Sequence, residues 1–514
     1  MGRVDAVVVG AGFGGLGAAL HLAEAGLRVV VCEALAYPGG CGSTFVRGGA
    51  RFDAGATLAL GVGPGEVLHR VLARHGLSVP VQRLDPVLEI RVPRQRIQLP
   101  GGRDGLATTL RSLPDVDPRA ASAFAAELQA TADALRPLLQ DPGVLPPLTL
   151  RGLRHHLSQS PTYLPLLRQV GRPLVAVLRR HGLDRHAGVR RLLEPLCWVS
   201  VQAGIDEVEA PFALGAIDTL VRGAHHVLGG MGTLAEALVS AIRAAGGEVR
   251  LSDRVQRLRA DGSGWRIEAR RGAIEAPLVF ANVLPQGLMA LAGLDTPPLK
   301  RLAERVRTGW GAAMLYLQID GRGLPEEAFH LDLCADPAAP YRDGNHVFCS
   351  VSAAAEARTV GGLRTVVAST HLGLAHGPPT ESRIRGIQDR MGRTLASLAP
   401  ELWRVRREVW PASPRTFARF VRRERGFVGG IPRRAGLRQY LDLFPGAAAP
   451  GLYLVGDSVL LGQSTLAAAL SGMRIAALAS DTAEVEDRLW RGLLPDDTAL
   501  SPEEGLCPNA STTS

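Results

Sequence analysis

Three glycines and one carboxylate carry the first recognisable chemistry. Gly10, Gly12 and Gly15 spell G-x-G-x-x-G, with Phe13 and Gly14 inside the motif, and Glu33 follows eighteen residues after Gly15. Glycine at position 10 permits a tight turn. At 12 it lets backbone approach a pyrophosphate with no Cβ in the way, and at 15 it lets helix and strand pack closely. The N–H groups and positive dipole of a helix N-terminus suit phosphate oxygens. Glu33 offers acceptors to ribose hydroxyls and would repel a 2′-phosphate, so NADP is disfavoured while NAD and FAD both stay open.

The surrounding elements must place these residues at a strand-to-helix junction. VDAVVVG reads as a buried parallel strand, FGGLGAALHLAEAG as a helix with apolar positions three and four apart, and LRVVVCE as a second strand. That βαβ unit puts the motif at its first turn. The chain of 514 residues is long enough for about three folding units. With 46% hydrophobic and 21% charged residues it has a globular composition, and its 60 glycines fit tight turns and close backbone approaches.

Composition also excludes several function classes. The six cysteines are scattered without a C-x-x-C pair, and the HH pairs at His155 and His225 lack partners at ligand spacing, so no metal is assigned. A reducing cytoplasmic setting without a cleaved leader is expected. The net charge of +9 comes almost wholly from arginines spread along the chain, Lys300 being the single lysine. No nucleic-acid motif accompanies it, so no nucleic-acid partner is expected, whereas an anionic membrane surface is.

Further motifs carry a family resemblance. ALAYPGGCGSTF, with Gly39, Gly40, Ser43 and Thr44, and RFDAGAT, with Gly55, Ala56 and Thr57, resemble the double-glycine extension of the FAD-dependent amine oxidase and phytoene desaturase superfamily. The resemblance implies FAD. APGLYLVGDSVLLGQSTLAAALSGMRIAALA is similar to the C-terminal flavin motif of that superfamily. It implies that Gly456 and Asp457 reach the ribityl chain, and that the backbone around Ser464, Thr465 and Leu466 faces the flavin pyrimidine from a helix N-terminus. HHVLGGMGTLAEALVSAIRAAGGEVRLSDRVQRL resembles the segment whose valine backbone pairs with adenine, here Val255.

The implied fold class is α/β: a Rossmann-type FAD-binding domain interleaved with an α+β substrate domain. FAD-binding parts are expected at 1–95, 223–290 and 431–485, a helical substrate- and membrane-facing insertion at 96–222, a substrate-domain sheet at 291–430, and a tail at 486–514 disordered at its end. Stretches such as FCSVSAAAEART, VVASTHL and SPRTFARFVRRERGFVGGIP look most like bacterial carotenoid C-3′,4′ desaturases. That likeness implies hydride transfer from an acyclic, 1-hydroxylated carotenoid to flavin N5, with oxygen or a membrane quinone as electron acceptor. The chain departs from common relatives in reading LLGQST where they carry FPGQG.

Between Asp141 and Glu194 nine arginines face the single acid Asp184, and interspersed leucines in PTYLPLLRQVGRPLVAVLRRHGL make a basic amphipathic face. Bilayer docking and ordinary packing on the core are both open readings of it. No catalytic residue is assigned beyond a weak candidate, His371, which fits a structural role better. Alternatives are a carotenoid cis-trans isomerase, an amine oxidase, which the low aromatic content (5%) disfavours, and a noncatalytic flavin-binding partner.

Overall fold

Runs of valine and alanine with no polar alternation build the first sheet, because a parallel sheet buries both faces. In the computed structural model, which describes residues 4–140, 150–262, 264–375, 377–460 and 462–480, this sheet has five parallel strands. Their order is Leu452–Leu454, Leu278–Ala281, Ala6–Val9, Val29–Cys32 and Glu248–Arg250. Strands from the beginning, middle and end of the chain are therefore direct neighbours. The proposed tail from 486 and most of the run DPGVLPPLTL lie outside the described residues.

The helix Phe13–Glu24 covers this sheet and is buried along almost its whole length. Against it lies the helix Thr465–Ser480, so close that a Cβ on Gly17 would come 2.2 Å from the Ala469 carbonyl oxygen and one on Gly472 would come 1.9 Å from that of Gly14. Small residues are obligatory at both positions.

A second, mostly antiparallel sheet runs Arg406–Ala412, Trp310–Asp320, Leu363–Gly373, His346–Val351, Phe329–Cys334, Leu88–Val92 and Gln95–Leu99, with Phe427–Val428 paired to the start of the second strand. Leu88–Val92 joins it in parallel through Leu331–Leu333. Residues 88–99 thus form a hairpin on the second sheet that spans the boundary expected at 95. A separate meander, Val255–Asp261, Gly264–Ala269 and Gly272–Ala276, links the Val255 region to the first sheet.

Helices Arg103–Ser112, Pro118–Gln140, Leu174–Arg180, Ala187–Val201 and Ala210–Gly223 form a further core. The basic leucine-rich run divides here. Leu174, Val177 and Leu178 point into that core, whereas Leu157, Leu164 and Leu167 are 67%, 60% and 73% exposed beside Arg154 and Arg168, which are exposed too. Among the described residues no helix is long and apolar enough to cross a membrane.

One buried ion network ties the hairpin strand Ala50–Asp53 and the strand His225–Val227 to the loop between His346–Val351 and Leu363–Gly373 of the second sheet. Arg358 bonds Asp53 at 2.8 Å and also bonds Glu356, which takes a further bond from His226 at 2.6 Å. Asp53 in turn accepts from the Thr44 hydroxyl at 2.7 Å and the Met231 N–H at 2.8 Å. Burial alone would raise Glu356, but the His226 bond and the Arg358 charge outweigh it and hold its pKa at about 2. Removing one partner strands the others in a dry site, so Arg358→Met should lose roughly 3–5 kcal/mol in urea unfolding. A carboxylate held low contributes stability above its unfolded value, which is lost as pH falls towards 2. Wild-type stability should thus decline from pH 4.5 downwards more steeply than that of the variant.

Candidate active site

A cavity of about 760 Å³ runs from the first β-to-α turn into the helical core. Its first wall is backbone. Gly10 adopts φ 93°, Gly39 φ 109° and Gly40 φ 58°, conformations that favour glycine, and the Gly39 N–H donates to the Ala11 carbonyl at 2.8 Å to bring the two loops together. Gly12 is the N-cap of the helix and no side chain caps it, which leaves the first-turn N–H groups facing the cavity.

Glu33 also lines the cavity, at the end of its strand. Its two oxygens accept from the Ala11 and Leu35 N–H groups, each at 2.7 Å. Burial raises its pKa against the pull of those bonds. Each oxygen keeps a second lone pair, which is what ribose hydroxyls would need.

Of the expected cofactor residues, Gly10, Gly12, Phe13, Gly14, Glu33, Gly39 and Gly40 line the cavity, as do Gly55, Ala56, Thr57 and Val255. Asp457, Ser464, Thr465 and Leu466 reach it from the far end of the chain. Four do not. Gly15 packs behind the turn, where a Cβ would lie 2.0 Å from the Gly10 carbonyl oxygen, and Gly456 sits 2.6 Å from where a Gly14 Cβ would be. Ser43 is buried away from the cavity, and Thr44 spends its hydroxyl on Asp53 and the Gly232 N–H. These four shape the cradle rather than line it.

Among the polar lining residues that were not anticipated, three stand out. Asn282 follows the central strand, and its side-chain nitrogen lies 2.5 Å from where a Gly12 Cβ would be. Arg423 pairs with Asp457 at 2.9 Å. Gln202 has φ 56°, is 2% exposed, and places Nε2 3.3 Å from His371 Nε2 while its Oε1 finds no partner. Only the polar residue closing an apolar strand, Asn282 after LVFA, carries a local signal that would have found it.

The donor set fits a flavin dinucleotide. A Cβ-free cradle precedes a helix N-terminus, an acid stands at the second strand, and the buried Thr465 hydroxyl, at the start of the second helix, lacks any partner. Beyond the cradle the wall becomes hydrocarbon: Leu58, Leu60, Leu135, Phe212, Met314 and Phe348. His371 faces this section between Trp198 and Trp310, with ring centroids 5.7 and 6.3 Å away. Burial, helped by His346, lowers its pKa to about 3, so it is neutral at ordinary pH. Among the described residues no cluster of three metal-ligating side chains occurs.

Comparison with known proteins follows the same outline. Residues 13–479 match the family model for flavin containing amine oxidoreductase. The chain is 27% identical over 305 residues to the neurosporene-forming phytoene desaturase of Cereibacter sphaeroides, covering 54% of this chain and only 52% of that protein, about half its length. It is 23% identical over 520 residues to the chloroplastic prolycopene isomerase of Arabidopsis thaliana, covering 92% and 82%. In fold it resembles the crystal structure of an oxidoreductase from Methanosarcina mazei, with a TM-score of 0.62 at 18% identity over 91% of this chain and 99% of that one. The chain belongs to the flavin containing amine oxidoreductase family, and its cofactor is FAD.

Proposed function

We propose that the chain is a carotenoid desaturase that forms a C=C bond in an acyclic, 1-hydroxylated carotenoid, at the C-3′,4′ position. The observation that carries this reading is the continuity of the glycine-lined cradle with a hydrocarbon-walled chamber in one cavity. Apolar surface is held out of water there at about 25 cal/mol per Å², so a long polyene needs no polar contacts along its length. The likeness to a phytoene desaturase supports the substrate class.

In this reading backbone at Gly10, Gly12, Gly14, Gly39 and Gly40 holds the pyrophosphate, Glu33 the ribose and Val255 the adenine. Asp457, oriented by its contact with Arg423, holds the ribityl chain, and the turn Ser464–Leu466 meets the pyrimidine. When bound, FAD supplies the hydride acceptor at N5. The apolar wall excludes water and aligns the polyene. His371, neutral and weakly basic, shapes the chamber rather than drawing off the proton. The electron acceptor is oxygen or a membrane quinone.

The likeness to prolycopene isomerase across 92% of the chain supports a second reading, cis-trans isomerisation in the same chamber. The exposed leucines at 157, 164 and 167, set among arginines, support peripheral docking on an anionic bilayer, from which such a substrate would come.

Gly12→Val should abolish flavin retention, since its Cβ would meet Asn282; normal yellow colour and FAD stoichiometry would count against the cradle. Expression in cells that make lycopene or its 1-hydroxy derivative should shift the pigment spectrum to the red. Anaerobic addition of substrate should bleach the flavin stoichiometrically, whereas isomer change without bleaching would establish the second reading. Changing Leu157, Leu164 and Leu167 together to serine should abolish sedimentation with anionic phosphatidylserine-containing vesicles while leaving the flavin spectrum intact.

A further inference from the structure

Arg433 enters the apolar part of the cavity from the segment between the strand Phe427–Val428 and the helix Arg438–Leu443. It is 3% exposed. Its Nη2 donates to the Val459 carbonyl at 3.2 Å, while Nε and Nη1 have no acceptor. Those two nitrogens carry three of the five guanidinium N–H groups. The head lies 5.4 Å from the Phe212 ring centroid and under the Gly462 turn, where a Cβ would come 2.3 Å from Nη2. Burial lowers its pKa to about 10, so it remains charged at neutral pH.

The nearby carboxylates do not satisfy it. Asp457 is paired with Arg423 at 2.9 Å. Glu209 accepts from the Tyr440 hydroxyl and from the Gly171 N–H at 2.8 Å on one oxygen, its other oxygen has no partner, and neither acid reaches the two free nitrogens of Arg433. A buried cation with unmet donors, set in a wall of leucine and aromatic side chains, calls for an acceptor that the protein itself does not provide. A hydrocarbon offers none.

We infer that Arg433 anchors an acceptor oxygen carried by an otherwise apolar ligand, so that the chain selects an oxygenated polyene over a bare hydrocarbon. The inference rests on the reading of the chamber as a polyene site and assigns the group that reads the substrate's polar end. Arg433 is thus a specificity-determining residue, with hydroxyl and carboxylate oxygens as the two sources of the same acceptor chemistry.

The test titrates three polyenes into the flavin-loaded protein: lycopene, its 1-hydroxy derivative and all-trans-retinoic acid, with dissociation constants read from polyene absorbance. Arg433→Met should weaken an oxygenated ligand about ten- to hundredfold, as expected for a lost bond to a charged donor, and leave lycopene within about twofold. Arg433→Lys, which keeps a charged donor and guards against misfolding of the first variant, should lose the same ligand selectively but less. The arm that falls identifies the oxygen as hydroxyl or carboxylate. Equal weakening of all three ligands would mean a packing role and overturn the inference, as would no change in any, which would mean that water satisfies the guanidinium. If retinoic acid binds in an Arg433-dependent way while neither carotenoid is altered, the anchor stands and the desaturase reading falls.

Discussion

Backbone-to-backbone contact at glycine is the constraint on which this molecule depends. The turn at Gly10–Gly15 meets the Gly39 loop through a hydrogen bond to the Ala11 carbonyl, the central strand through Asn282, and the C-terminal segment through Gly456, Ala469 and Gly472. Each approach is shorter than a Cβ permits. Three distant pieces of chain therefore converge on one point, and the side-chain-free surface they leave is what a pyrophosphate needs. Had Gly14, Gly15 or Gly472 been alanine, the helix Phe13–Glu24 could not seat on both its sheet and its partner helix.

Charge is handled differently at the two ends of the site. Around Asp53 the carboxylates are answered within the protein: Arg358 bonds Asp53 and Glu356, Glu356 also bonds His226, and the Met231 N–H donates to Asp53, which joins the Ala50–Asp53 hairpin to the loop after His346–Val351. Around Asp457 the accounts stay open. Arg423 pairs with the acid, but Thr465 Oγ1, Gln202 Oε1 and two of the Arg433 nitrogens keep unmet bonding capacity along the cavity. Buried polar groups are normally paired, so the carboxylates of the joint find partners within the chain, while unpaired groups along a binding chamber are left for its ligand.

Local sequence made a good part of this readable. The strand-turn-helix-strand pattern of residues 4–33 and the LYLVGD strand followed by a small-residue helix are short-range signals, because periodicity and glycine placement act within a few residues. Boundaries were less legible. Residues 88–99 alternate like any hairpin, and nothing local says that they complete the second sheet through Leu331–Leu333. The basic leucine-rich run was ambiguous for a similar reason: Leu178 and Leu167 have like neighbours in sequence, yet one is core and the other is exposed.

By itself the sequence determined the dinucleotide chemistry, since the glycines, the acid and the helix start that make it lie within one βαβ unit and need only covalent proximity. Tertiary structure alone decided which residues stand in the chamber wall. Gln202, Asn282 and the segment with Arg423 and Arg433 come from separate parts of the chain, and their roles come from which donors and acceptors are paired or left open once the sheets and helices have packed. It also decided that the Thr44 hydroxyl bonds Asp53 and the Gly232 N–H. Pairing is a property of three-dimensional neighbours, and a linear pattern does not encode who reaches whom.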